Sequence, residues 1–255
     1  MALSPSLRML VLLGGSLVFL LSASAQPRDP VHWEVHDTTR PPPPVVTPGP
    51  AAPPQSPPSD AVVLFSGEDL DAWRHPNGEA ASWTVRDGYV TVRPGSGSIQ
   101  TKENFGDVQL HLEWMVPPSL DGTGQAVGNS GVFLMDKYEV QVLNSYENST
   151  YPDGQAAAVY GQYPPLVNAT RPPGEWQTYD ILFRRPHFDN NGDLVEPARI
   201  TVYHNGVLVQ DHVALTGPTG HKNRPPYEQH ASRLPLRLQD HDNAVRFRNI
   251  WLREL

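Results

Sequence analysis

Polar side chains alternate with apolar ones along three segments of the chain, so each polar set would project from one side of an extended strand. The sets combine carboxylates, amides, an arginine and histidines: His111 with Glu113, Glu139 with Gln141, and Arg237, Gln239, Asp240 and His241 near the C-terminus. Amides and arginine suit the hydroxyl groups of a sugar, and carboxylates suit acid and base catalysis. If the three segments share one sheet, they predict a carbohydrate site. The solvated side of an antiparallel sheet would show the same alternation.

Two loops add further polar and aromatic groups. Asn129 precedes an apolar strand, where Asn and Gly also serve as ordinary turn residues. Tyr160 and Gln162 lie in a loop that ends in two prolines; a tyrosine ring could flank a sugar, or the prolines could simply end a strand. The candidate catalytic residues are therefore Glu113, Glu139, Arg237 and His241. The candidate substrate-binding residues are His111, Asn129, Gln141, Tyr160, Gln162, Gln239 and Asp240.

Composition and spacing argue against several other kinds of site. The chain has no cysteine, which excludes disulfides, thiolate nucleophiles and cysteine-ligated metals. Asp189, Asn191 and Asp193 have the spacing of a calcium loop, but Gly192 stands at the fourth position instead of the sixth and Ile200 replaces the bidentate glutamate. We expect a hairpin loop here and predict no cofactor, with a divalent metal such as calcium as the alternative. A net charge of −8 argues against a nucleic-acid partner.

The chain divides into three zones. Residues 1–25 combine one charge, Arg8, with an apolar run and a small-residue cleavage site, which predicts a secretory signal peptide and an exported, periplasmic or secreted bacterial protein. The apolar run is too short for a membrane span, which needs about 20 residues. Residues 26–60 contain 12 of the 28 prolines and few apolar groups, so we expect a disordered, extended spacer.

Residues 61–255 form the predicted folded domain. Their regular segments all have period two, and Asp87-Gly88 and Asn205-Gly206 each separate two such segments, as in two-residue β-hairpins. No window has the pattern of a long amphipathic helix. Many strands with one apolar side indicate an all-β fold, a two-sheet antiparallel β-sandwich of the jelly-roll type.

Seven short blocks of this domain carry a resemblance to a known family. They are residues 64–70, 83–88, 129–133, 138–143, 174–180, 204–207 and 236–241. In this order they resemble the 3-keto-disaccharide hydrolase domain family, long described as a domain of unknown function. The resemblance implies a concanavalin A-like sandwich of the lectin and glucanase kind, found in exported bacterial proteins that act on glycosides.

The chemistry implied by this resemblance needs three groups. A ketone at C3 acidifies the hydrogen at C2, and its removal gives an enolate that can expel the oxygen at C1; water can then add. The enzyme needs a base for C2–H, a donor for the enolate oxygen and an acid for the leaving oxygen. Glu113 and Glu139 would suit the first and last roles, and Arg237 and His241 would stabilise the enolate or act as acids. The alternatives are a conventional glucanase-like hydrolase with two carboxylates and a non-catalytic, lectin-like carbohydrate-binding module.

Overall fold

Alternating sequence patterns produce a structure built almost entirely of short strands. The computed structural model describes residues 32–51 and 53–255, so the predicted signal peptide, residues 1–25, lies outside the described residues. The strands are β1 (Val62–Phe65), β2 (Trp73–Arg74), β3 (Thr84–Arg86), β4 (Tyr89–Thr91), β5 (Ile99–Thr101), β6 (Val108–Met115), β7 (Ser130–Leu134), β8 (Tyr138–Val142), β9 (Gln177–Arg184), β10 (His187–Phe188), β11 (Leu194–Glu196), β12 (Arg199–His204), β13 (Val207–Ala214), β14 (Arg237–Leu238) and β15 (Arg246–Glu254). Two single 3₁₀ turns occupy Gly124–Ala126 and Pro152–Gly154.

The strands form two facing antiparallel sheets, which confirms the predicted β-sandwich. The large sheet has the order β13-β12-β9-β6-β15-β4-β3, with β1 pairing to β15 as its eighth strand. The small sheet has the order β2-β5-β14-β7-β8, and β10 and β11 form a separate ribbon. No helix within residues 32–51 and 53–255 is long and apolar enough to span a membrane.

The apolar sides of both sheets meet in one core. Trp114 and Tyr179 of the large sheet are fully buried, as are Val132 and Val140 of the small sheet. The hydroxyl group of Tyr179 donates a hydrogen bond of 2.8 Å to the backbone oxygen of Gln141. A buried hydroxyl needs a hydrogen-bond partner. This bond provides one and joins β9 of the large sheet to β8 of the small sheet.

The two predicted hairpins are present with the expected backbone. Asp87 and Gly88 have φ values of 53° and 79°, and Asn205 and Gly206 have φ values of 53° and 77°. Two consecutive residues with positive φ define the type I′ turn, whose twist matches that of the adjoining strands. The register Arg86 to Tyr89 confirms a two-residue loop.

The proline-rich segment differs from its prediction as a disordered spacer. Its described part, residues 32–51 and 53–60, which we call the arm, lies against the sandwich. Backbone N–H of Val46 donates to the oxygen of Asn168 at 2.9 Å, and the side-chain amide of Asn249 donates to the oxygen of Gln55, also at 2.9 Å. The sequence hides this packing because the arm is held by hydrogen bonds to its backbone and by a few polar and aromatic side chains, which leave no apolar pattern. The arm follows the edge of the sandwich and reaches the outer side of the large sheet.

Removal of the arm should therefore lower stability, whereas a free spacer would have no effect. We expect deletion of residues 26–59 to reduce the melting temperature by more than about 5 °C, which for a domain of this size corresponds to a loss of about 2 kcal/mol. Thermal unfolding followed by circular dichroism measures this, with the unchanged β signal at 20 °C as the control for folding. An unaltered melting temperature would restore the spacer interpretation.

Candidate functional site

The polar residues predicted from the sequence lie on opposite sides of the sandwich. His111 and Glu113 belong to β6 of the large sheet, whereas Glu139, Gln141 and Arg237 belong to the small sheet. The expectation of one shared sheet is therefore wrong. Alternation along a strand tells which residues avoid the core, but it does not tell which of two sheets the strand joins.

Six of the predicted residues come together on the outer side of the small sheet. They line a cavity of about 200 Å³, which we call the small-sheet pocket. Its lining residues are Asn129, Phe133, Glu139, Gln141, Tyr160, Thr219, Gly220, His221, Gln239 and His241. The pocket contains one carboxyl group, three amides and two histidines, side chains that can transfer protons and bind hydroxyl groups.

Pairing of three strands positions Glu139. Glu139 of β8 lies opposite Phe133 of β7, which lies opposite Arg237 of β14. Gly131 of β7 leaves the space that the carboxyl group occupies, since a Cβ atom there would lie 2.2 Å from Oε1 of Glu139. The guanidinium of Arg237 lies over the ring of Phe133, 3.6 Å from its centroid, and is ion-paired with Asp136.

The carboxyl group of Glu139 is buried without a salt-bridge partner among the described residues. Its exposed fraction is 6%. Burial raises the pKa of Glu139 to about 8, although the charge of Arg237 acts in the opposite direction. When the side-chain amide of Gln141 points its nitrogen at this group, it donates to Oε1 at 3.1 Å. Glu139 is therefore mostly protonated at pH 7 and able to donate a proton or a hydrogen bond.

Tyr160 and His221 form the opposite wall. The hydroxyl group of Tyr160 lies 3.0 Å from that of Tyr151 and 3.4 Å from Nδ1 of His221. Burial raises the pKa of Tyr160 above its usual value of 10, so the hydroxyl keeps its proton at neutral pH. This wall offers a hydroxyl donor and an imidazole to a ligand in the pocket.

Three predicted residues lie near the pocket but do not line it. Both polar atoms of the Gln162 amide bind the backbone of the following loop: Oε1 accepts from the N–H of Thr216 at 2.9 Å and Nε2 donates to the oxygen of Gly217 at 2.9 Å. Asp240 accepts from the N–H of Gly97 at 2.9 Å and shapes its own turn. Arg237 is held by its ion pair. These side chains hold the loops and strands of the site. The roles predicted for them, catalytic for Arg237 and substrate-binding for Gln162 and Asp240, stay predictions.

Sequence reasoning missed four lining residues. Phe133 lies within one of the recognised blocks, but its apolar side chain gave no sign of a polar site. Thr219, Gly220 and His221 lie in the long connection between β13 and β14, which has no periodicity. Of these four, only Phe133 could have been placed from its alternation with Val132.

His111 and Glu113 form a different network beneath the arm. Nδ1 of His111 lies 2.7 Å from Asp180, and Glu113 accepts from Arg248 at 2.7 Å and from Asn249 at 3.0 Å. Burial opposes ionisation of both groups, but the hydrogen bonds and charges outweigh it: the pKa of His111 is raised to about 9 and that of Glu113 is lowered.

The network adjoins a cavity of about 350 Å³ that Pro50, Pro53 and Gln55 of the arm also line. This cavity is larger than the small-sheet pocket, yet it is the weaker candidate for catalysis. Its buried ionisable groups already have partners of opposite charge, so they are committed to holding the structure together. Glu139, in contrast, has no such partner.

Residues 189–193, which have the spacing of a calcium loop, form a turn. Oδ1 of Asp189 accepts from the N–H groups of Asn191 and Asp193 at 2.8 and 3.0 Å. Among the described residues no group of three or more His, Cys, Asp or Glu side chains is arranged to hold a metal ion. The loop therefore has the hairpin geometry expected from its sequence.

The structure is an antiparallel β-sandwich with a polar pocket on the outer side of its small sheet. Comparison with known proteins identifies the family. Residues 60–253 match the family described as the 3-keto-alpha-glucoside-1,2-lyase-like domain, and the chain belongs to this family. No curated protein matches the chain.

Two solved structures from Parabacteroides distasonis are similar to it, each named as a "putative glycosyl hydrolase". The first is 46% identical, with a TM-score of 0.77, and the match covers 85% of this chain and 93% of the other. This share of the chain is larger than residues 60–253, the range that the family matches. The second is 20% identical, with a TM-score of 0.54 and coverage of 77% and 94%, and shows the fold alone.

The two buried glutamates should affect stability with opposite pH dependence. Unfolded, Glu139 loses its proton near pH 4.5, but folded it keeps the proton up to about pH 8, so the wild type loses stability as pH rises between these values. Glu139→Gln removes this titration and should gain stability relative to the wild type from about pH 5 to pH 8. Glu113 has a lowered folded pKa, and its carboxylate contributes stability above about pH 4.5 that is lost in acid.

Glu113→Gln should therefore be less stable than the wild type at pH 7, with a deficit that shrinks as pH falls. Urea unfolding of both variants at about pH 3.5, 5, 6.5 and 8 measures these differences: the change for Glu113→Gln is expected below about pH 4.5 and that for Glu139→Gln between about pH 5 and 8. Each glutamine variant is the control for the other, because both remove one buried carboxyl group of the same size. A pH dependence of the same sign in both would contradict the assignment of their charge states.

Proposed function

We propose that this protein cleaves 3-keto-glycosides by elimination across C1 and C2 of the oxidised sugar. The observation that carries the proposal is the buried, protonated carboxyl group of Glu139 in a pocket that also holds two histidines. Membership of the family supports the substrate class. In the pocket of a glycoside-cleaving enzyme of this kind, the acid must already hold its proton when the substrate binds, and burial of Glu139 meets this condition.

The pocket supplies a group for each step. The imidazole of His221 or His241 takes the proton from C2, and the electron pair left behind forms the enolate with the C3 ketone. Its collapse forms the C1–C2 double bond and breaks the bond from C1 to the leaving oxygen, which takes the proton of Glu139. Addition of water to the double bond then completes a net hydrolysis. The amide groups of Asn129, Gln141 and Gln239 are the donors available to the enolate oxygen and the sugar hydroxyls.

Arg237 acts indirectly in this scheme, through the pKa of Glu139. Its guanidinium is engaged by Asp136 and by the face of Phe133, so it does not itself line the pocket. Its positive charge lowers the pKa of Glu139 from the value that burial alone would give. Arg237 thus keeps the proton of Glu139 transferable, because an acid with too high a pKa donates slowly.

The conventional two-carboxylate hydrolase fits the pocket less well. Retaining and inverting glycosidases place two carboxyl groups about 5 to 9.5 Å apart around the bond that breaks. Glu139 is the one carboxyl group among the lining residues of the small-sheet pocket, and the nearby Asp240 binds backbone N–H groups. A base other than a carboxylate is expected for elimination, where the acidity of C2–H comes from the ketone.

The wild-type protein should split a 3-keto-glucoside and leave its unoxidised parent intact. Without the ketone, the C2 carbanion has no enolate to delocalise into, and a histidine could not form it at a useful rate. In deuterium oxide, the product should carry deuterium at C2. Product formation with and without a chelator, analysed by mass spectrometry, measures both results. Equal rates on both glycosides without label would support direct hydrolysis, and binding without turnover would support a lectin-like module.

Glu139→Gln should reduce kcat by about a hundredfold or more, because an amide cannot give a proton to the leaving oxygen. The wild-type rate should fall above about pH 8, where Glu139 ionises. Gly131→Ala should have a similar effect, because its methyl group displaces the carboxyl group without removing it. Glu113→Gln is the matched control and should retain turnover at a pH where it is folded. Wild-type rates in Glu139→Gln would exclude this residue from the mechanism.

A further inference from the structure

The arm contacts both loops that carry the wall of the small-sheet pocket. Backbone N–H of His36 donates to Oδ2 of the buried Asp153 at 3.0 Å. Its imidazole ring stacks on Tyr151, with centroids 3.9 Å apart and planes 19° from parallel, and its centroid lies 5.0 Å from that of Tyr160 and 5.5 Å from that of His221. One residue of the arm therefore lies against the rings of Tyr151, Tyr160 and His221, of which Tyr160 and His221 line the pocket.

Two arginines hold this part of the arm in place. Arg224 donates to the backbone oxygen of Trp33 at 3.0 Å and to that of Gly161 at 2.9 Å, so it ties the arm to the residue that follows Tyr160. Arg40 of the arm is 6% exposed and donates to the oxygen of Gln162 at 3.4 Å. Arg40 of the arm and Arg224 thus both bind the backbone of the turn at residues 160–162.

His36 acts by packing. Burial, and then the positive charges near it, lower its pKa to about 4, so the ring is neutral at working pH. Its Nε2 atom is buried and has no hydrogen-bond partner in the described part of the chain. A ring that neither carries charge nor donates from this atom contributes through its faces and edge, which lie against Tyr151 and Tyr160.

We propose that residues 33–40 of the arm are part of the active site, and that His36 is a positioning residue that holds Tyr160 at the pocket wall. The proposal rests on the proposed function for the identity of the substrate, but the contact that it requires does not. The matching family domain begins at residue 60, so the arm lies outside it. The position of Tyr160, and with it the affinity for the sugar, would then depend on a segment that precedes the domain.

The test compares three variants of the full-length chain. In His36→Ala the stacking contact is lost, and kcat/KM for the 3-keto-glucoside should fall about tenfold or more, mainly through KM, because Tyr160 contacts the bound sugar. His36→Phe keeps an aromatic ring and should recover most of this loss without altering the pH profile. His32→Ala, a histidine replaced on the exposed start of the arm, is the matched control and should behave as the wild type.

Hydrogen exchange gives a readout that needs no activity. Backbone amides of residues 151–162 should exchange at least several-fold faster in His36→Ala than in His36→Phe or His32→Ala. Unchanged kinetics in His36→Ala would overturn the proposal, whether exchange rises or not, and so would a failure of His36→Phe to restore KM. If the wild type splits no 3-keto-glycoside, the proposed function fails. Exchange at residues 151–162 then still decides whether His36 positions Tyr160, and equal exchange in all three variants would refute it.

Discussion

A carboxyl group that loses its water and gains no cation is stable in a protein only as the neutral acid. Glu139 is held in this condition by the pairing of β8 with β7, because Gly131 provides the space above the sheet and Phe133 covers one side. Asp136 binds the guanidinium of Arg237, so the nearest cation is engaged elsewhere and burial prevails. The strand pairing of the small sheet thus keeps the carboxyl group of Glu139 protonated.

Glu113 and Glu139 show that the surroundings of a buried glutamate decide whether it is ionised. Glu113 is as well buried as Glu139, yet it is ionised, because Arg248 and Asn249 donate to it and His111 carries the opposite charge. Such a network contributes to stability and offers no proton at neutral pH. Both residues alternate with apolar neighbours in the sequence, and both would serve equally well as acid or base on paper. Only the three-dimensional partners separate the ionised carboxylate of Glu113 from the protonated carboxyl group of Glu139.

The sequence predicts the features that depend on interactions between neighbouring residues. Strand period, the two Asn-Gly and Asp-Gly hairpins and the sandwich follow from alternation and from φ preferences, which act between neighbours. The sheet to which each strand belongs depends on pairing across long separations, so Glu113 and Glu139 were grouped wrongly. His221 and the docking of the arm left no pattern, because a loop histidine and a backbone-bonded proline segment have no periodicity. Six of the eleven predicted site residues nevertheless lie in one pocket, and five of them, all except Tyr160, belong to the recognised blocks.

The order of strands in the large sheet has a consequence for how the chain reaches its native state. β15, residues 246–254, lies in the interior of that sheet and pairs with β6, β4 and β1. The sheet therefore cannot close before residues 246–254 join strands that precede them in the chain by more than 100 residues. High separation between paired strands makes folding slow. The chain should consequently fold slowly, and the edges of β1, β4 and β6 that face β15 stay unpaired until residues 246–254 join the sheet.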